Sequence, residues 1–128
     1  MARILVVDDS PSIYFSVRQS LAPDRHIVDR LDAFTGLPAY LRSTPPDLVL
    51  LDLEMPALSG TAFAQFLRRI ESRPTHIVIH SALDDATLKQ AVREVGALGA
   101  IRKGTSGEQL RASVNGFLQA RSVLVREV

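Results

Sequence analysis

The chain has 128 residues, enough for one hydrophobic core of ordinary size and hardly for two. With 46% hydrophobic and 23% charged residues it has the composition of a globular protein rather than a disordered one. Fifteen basic against fourteen acidic residues leave a formal net charge of +1, without the basic excess of duplex-DNA binders, and the lack of cysteine excludes disulfides, thiolate catalysis and zinc–cysteine sites.

Taken in chain order, the first apolar run, Ile4-Leu-Val-Val7, predicts a strand that ends at Asp8-Asp9. Ser10 as N-cap and Pro11 at the first helical position open a helix whose inner face carries Tyr14, Val17 and Leu21. A second strand falls on His26-Ile-Val28 and ends near residue 30. Thr35 to Ser43 reads as a short helix with Pro38 near its start, and Thr44-Pro45-Pro46 as a rigid turn. The third strand, Leu48-Val-Leu-Leu51, ends at Asp52, and Phe63, Phe66, Leu67 and Ile70 then give one buried helical face. The fourth, Ile77-Val-Ile79, ends near residue 80, and a helix with Leu88, Ala91, Val92 and Val95 follows Asp84. The weaker fifth, Gly99-Ala-Ile101, ends near residue 102. Thr105 with Glu108 forms a capping box for a last helix bearing Leu110, Val114 and Phe117.

Three of these strands are continuously apolar, the pattern of strands covered on both faces. Five strand–helix units in succession imply an α/β fold, a parallel sheet with helices on both sides. Residues 1–128 therefore read as one domain. The last helix, from about Ser106 into Arg121-Ser-Val-Leu-Val125, is longer than usual. It projects Val123, Leu124, Val125 and Val128 past the core, so that residues 120–128 form a dimer contact or the start of a linker. No run approaches the ~20 apolar residues of a membrane span, and Met1 to Val7 is too short for a secretory signal, so a cytoplasmic location is expected.

In such sheets chemistry gathers beyond the carboxyl ends of the strands. The first strand ends in Asp8-Asp9, the third in Asp52, the fourth in Ser81 and the fifth in Lys103; the second contributes nothing obvious. Singly, these read as a helix cap, a turn residue, a loop hydroxyl and a solvated lysine. Together they stand on one rim, where three carboxylates repel unless a cation intervenes. Magnesium accepts carboxylates, a carbonyl and waters and leaves room for phosphate oxygens. A hydroxyl and an ammonium nearby complete a site for a phosphoryl group, and a carboxylate is itself a competent nucleophile.

Ile4-Leu-Val-Val-Asp-Asp-Ser10, Leu50-Leu-Asp-Leu-Glu-Met-Pro56 with Gly60, Ile77-Val-Ile-His-Ser-Ala82 and Gly99-Ala-Ile-Arg-Lys103 resemble the receiver domain of two-component response regulators. The Asp-x-x-Met-Pro-x-x-x-Gly string of residues 52 to 60 is the most specific part. The resemblance implies a doubly wound, flavodoxin-like sheet of strand order 2-1-3-4-5. It implies that Asp52 accepts the phosphoryl group, and that Asp9, Asp52 and the backbone carbonyl of Glu54 ligate Mg2+, or Mn2+ in its place. Asp8 would act mainly through a metal-bound water. Ser81 and Lys103 would engage phosphoryl oxygens, with the small Ala82 flanking the pocket. The donor would be a sensor histidine kinase, a phosphotransfer protein or a small acyl phosphate. The output would be a downstream protein, or a second copy, on the face of the fourth helix, fifth strand and fifth helix. Nucleic acid and membrane are not implied. Such a domain slowly hydrolyses its own acyl phosphate and is not a turnover enzyme.

The sequence departs from that pattern at two places. Gly104 follows the lysine where a cis proline is common, which favours a trans peptide. Ile101 stands two residues before it, where an aromatic side chain often turns inward on activation. Glu54 and Leu83 flank the water that would hydrolyse the acyl phosphate, Leu83 as a hindrance. His76 and His80, about 13 Å apart at strand rise, are too distant to share a metal. Two rival readings are a phosphate-independent adaptor of the same fold and a haloacid-dehalogenase-like phosphatase using Asp52-Leu-Glu54. The second is weakened because that family has an aspartate where Glu54 stands.

Overall fold

A computed structural model of the chain describes residues 1–55, 59–71 and 74–127, without the side chains of Phe34 and 121–127. Pro56 of the motif and Val128 lie outside the described residues, as do the side chains of Val123, Leu124 and Val125. Five strands, β1 (Arg3–Val7), β2 (Ile27–Leu31), β3 (Leu48–Leu51), β4 (Ile77–Ser81) and β5 (Gly99–Arg102), pair in parallel in the order β2-β1-β3-β4-β5. Helices α1 (Pro11–Leu21), α2 (Leu37–Ser43), α3 (Gly60–Ile70), α4 (Asp85–Val95) and α5 (Gly107–Glu127) connect and cover them, as expected for a parallel sheet.

The continuously apolar runs became the three central strands, β1, β3 and β4. Alternation splits their side chains between two cores. Leu5, Val7, Val49, Leu51, Ile77 and Ile79 pack with Phe63, Leu67, Leu88 and Val95 on one face. Ile4, Val6, Leu48, Leu50 and Val78 pack with Val17, Leu21, Leu110 and Val114 on the other. Each such burial contributes about 1.5–3 kcal/mol, which fixes the register and hence the common level at which the strands end. Ser10, Ser59 and Asp84 cap α1, α3 and α4 by accepting the amides of Ile13, Ala62 and Thr87.

Four local expectations are corrected. His26 lies just ahead of β2, whose pairing with β1 begins at Ile27 opposite Arg3, and its ring ties other segments: Nδ1 accepts the Ala2 amide and Nε2 faces Asn115 Oδ1 at 2.9 Å. The strand instead runs on through Asp29 and Arg30 to Leu31, polar residues that an edge strand tolerates once they are paired. Asp29 accepts from both Arg3 Nη1 and the Tyr40 hydroxyl. The capping box of α5 lies one residue later than expected: Ser106 Oγ accepts the Gln109 amide while Gln109 Oε1 accepts the Ser106 amide, so Thr105 and Glu108 do not form it. Residues 34–36 form a 3₁₀ turn, so α2 begins only at Leu37. His76 lies just ahead of β4 rather than within it. The long final helix is present, 21 residues from Gly107 to Glu127, and is tied to the turn before β2 by Arg111 and Asn115, which both donate to Asp24 Oδ2.

Candidate functional site

The register of β1, β3, β4 and β5 brings Asp8, Asp52, Ser81 and Lys103 together. Backbone bonds continue the sheet one residue past the strands: the Asp8 amide donates to Leu31, the Asp52 amide to Val7 and the Lys103 amide to Ser81. Asp8, Asp52 and Ser81 are buried, whereas Asp9 on the turn into α1 is exposed. One carboxylate oxygen from each of Asp8, Asp9 and Asp52 lies within 4.8 Å of the others.

Lys103 Nζ lies 3.0 Å from Asp8 Oδ2 and 3.4 Å from Asp52 Oδ1. Burial opposes its charge, but the bond to Asp8 and the fields of Asp8 and Asp52 hold the ammonium above the ordinary lysine range. Asp52 Oδ1 also accepts the Glu54 amide at 3.0 Å. Asp8 Oδ1 accepts the Ser10 amide at 2.9 Å, while its buried Oδ2 has no aligned hydrogen bond beside the ammonium contact. One lysine against three carboxylates leaves negative charge and spare oxygen lone pairs at the rim. That donor set fits a hard divalent cation, which takes oxygen ligands.

Ser81 Oγ, fully buried, accepts the Leu83 amide at 3.3 Å and is therefore engaged with its own loop. Ala82 is exposed, and Leu83 packs partly on the core beside α4. Ile101 is 5% exposed and belongs to the core beneath α1 and α5, opposite His80 in the β4–β5 pairing. Gly104 has φ +92°, the left-handed region that favours glycine, and no described peptide is cis, in line with the trans peptide expected after Lys103. Gly60 lets α3 start against Leu53, whose side chain occupies the space a Cβ would fill.

His80 is buried with Nδ1 unpaired. Burial first, and the Lys103 charge second, push its pKa down to about 4 against the opposing pull of Asp8, so the ring is neutral near pH 7. Sequence reading missed Arg30. From the end of β2 its Nε and Nη2 donate to the carbonyls of Asp8 and Asp9, both at 3.2 Å.

Comparison with known proteins points to one family. Residues 4–115 match the family model of the response regulator receiver domain. Over 119 residues the chain is 32% identical to protein PilH of Pseudomonas aeruginosa, covering 92% of this chain and 98% of that one. It is also 32% identical to the cyclic di-GMP phosphodiesterase response regulator RpfG of Xanthomonas campestris, of which it spans 32% of the length. Among solved structures, the chemotaxis response regulator CheY4 of Vibrio cholerae superposes with a TM-score of 0.77 at 27% identity, covering 90% of this chain and 97% of that one. Among the described residues no helix is long and apolar enough to cross a membrane.

Proposed function

The chain belongs to the response regulator receiver domain family, and from that membership we propose that Asp52 accepts a phosphoryl group in a magnesium-dependent reaction. The observation that carries the reading is the convergence of Asp8, Asp9, Asp52 and Lys103 at the carboxyl ends of β1, β3 and β5. Asp9, Asp52 and the Glu54 carbonyl would hold the cation directly and Asp8 through a water; when bound, the ion neutralises the carboxylates and the incoming phosphoryl oxygens.

Among the described residues, the Glu54 amide and the Lys103 ammonium both meet the Asp52 carboxylate at Oδ1. Oδ2 is the attacking oxygen. A bond forms from it to phosphorus as the bond to the donor's imidazole nitrogen breaks, and the imidazole leaves with that electron pair. The donor is a sensor histidine kinase or phosphotransfer protein within the cytoplasm; with an acyl phosphate in its place the P–O bond to the acyl group breaks and a carboxylate leaves. Lys103 then pairs with a phosphoryl oxygen, and Ser81 leaves the Leu83 amide to donate its hydroxyl to another.

The modification adds roughly −1.5 to −2 charge. Because Leu83 is bonded to Ser81 and precedes the Asp84 cap, the shift of Ser81 is passed to the start of α4. Ile101 stays in the core, so the α4–β5–α5 face responds through its loops, and a downstream protein or second copy reads the change there.

Adding beryllofluoride with magnesium to the isotope-labelled chain tests the switch. Amide shifts at Ser81, Leu83 and Lys103 are expected. Unchanged spectra at all three contradict it.

A further inference from the structure

The end of β2 reaches the acidic rim through the backbone. Arg30, opposite Val6 in the β1–β2 pairing, lays its guanidinium over the junction of β1 and α1. Its Nε donates to the Asp8 carbonyl and its Nη2 to the Asp9 carbonyl, each at 3.2 Å. The Asp8 amide donates back to Leu31 at 3.1 Å, and the Ser10 amide donates to Asp8 Oδ1 at 2.9 Å. The acidic turn is thus tied to β2 by the Arg30 side chain and by the carbonyl of the next residue, Leu31.

That tie answers a specific electrostatic need. Lys103 pairs with Asp8 and Asp52, but Asp9 makes no salt bridge among the described residues. Asp9 is exposed, and one of its carboxylate oxygens lies within 4.8 Å of two others of like charge, whose repulsion opposes that placement. A guanidinium carries its N–H groups on one rigid plane and so spans two successive carbonyls; an ammonium on a flexible stem is a point charge and does not.

We propose that Arg30 is a positioning residue for the cation site, clamping the Asp8–Asp9 turn so that Asp9 faces the metal. The proposal rests on the receiver reading of that site. Arg30 touches neither metal nor phosphoryl group and acts through the turn it holds.

The test is a magnesium titration of the intact chain, read from the amide resonances of Asp9 and Ser10, for wild type, Arg30→Ala and Arg30→Lys. The magnesium dependence of phosphorylation by acetyl phosphate is measured alongside. Arg30→Ala is expected to raise the half-saturating magnesium concentration about tenfold, the low end for outer-shell partners of a metal site. Its phosphorylation rate at saturating magnesium stays within about twofold of wild type, because the clamp is needed only to gather the cation. Arg30→Lys recovers less than half of the loss on a logarithmic scale. Equal half-saturation in wild type and Arg30→Ala overturns the proposal. So does full recovery by Arg30→Lys, which would make the effect one of charge alone, or a saturated rate that falls as far as the affinity. Failure of the receiver reading looks different: the wild type binds magnesium but takes up no phosphoryl group, and the Arg30 comparison is still read from the titration. A wild type that binds no magnesium contradicts both.

Discussion

Lys103 holds the centre of the site by facing two buried carboxylates at once. Lys103→Ala leaves Asp8 without its counter-charge, and a loss of roughly 1–3 kcal/mol is expected, less than for a fully buried pair because the ammonium is partly solvated. Urea unfolding with and without magnesium checks this, and the cation should restore part of the loss. The lysine pairing is fully present below the ordinary lysine range and is lost only as pH rises through the higher folded value, so it predicts no loss of stability in acid. His80 predicts one. Its folded pKa of about 4 lies below the ordinary 6.5, so the unfolded chain takes up the proton first. Stability present above pH 6.5 is lost as pH falls toward 4, by roughly 3 kcal/mol. His80→Val should remove that part of the acid loss in unfolding measured at pH 7 and pH 4.5; an equal loss in both proteins would contradict it. At this scale Asp8, Asp9, Asp52, Ser81 and Lys103 were legible because each lies within two residues of the end of an apolar run. Arg30 was not. Its partners are backbone carbonyls, which carry no sequence signature.

The elements were legible where burial is symmetric. β1, β3 and β4 are apolar on both faces, and periodicity alone identifies them. β2 lies at the sheet edge, so side-chain pairing rather than apolar burial supports it, and its span was misjudged toward His26. The start of α5 was misplaced by one residue because Thr105 and Ser106 are chemically equivalent caps and only the backbone path separates them. Ser106→Ala should cost about 1 kcal/mol in denaturant unfolding, and Thr105→Ala much less; the reverse order would restore the earlier box. The loop after Lys103 carries a similar constraint. With φ +92° at Gly104, Gly104→Pro cannot be accommodated without moving the loop, since proline holds φ near −65°. It should destabilise the chain by more than about 1 kcal/mol, and it disturbs the Lys103 resonances rather than simply installing a residue common in the family. An unchanged melting midpoint would show that the loop re-forms freely.

Across the whole molecule, a net charge of +1 conceals a rim where three carboxylates meet one lysine. Composition reports the sum, and the fold creates the local excess by ending its strands at one level. The βα alternation made a parallel sheet legible, and the family resemblance supplied its order, which the pairing of β1 with both β2 and β3 bears out. Partner identity was not legible, because the surface that would recognise an exposed face lies outside the chain. The central claim is that this acidic rim exists to place one phosphoryl group on Asp52. Its most direct test is the intact mass of the chain after incubation with acetyl phosphate, with magnesium and with excess chelator, for wild type and Asp52→Asn. One added phosphoryl group is expected in the wild type with magnesium and in neither of the other cases. A wild-type mass that never changes, or an Asp52→Asn protein labelled to the same extent, would contradict it.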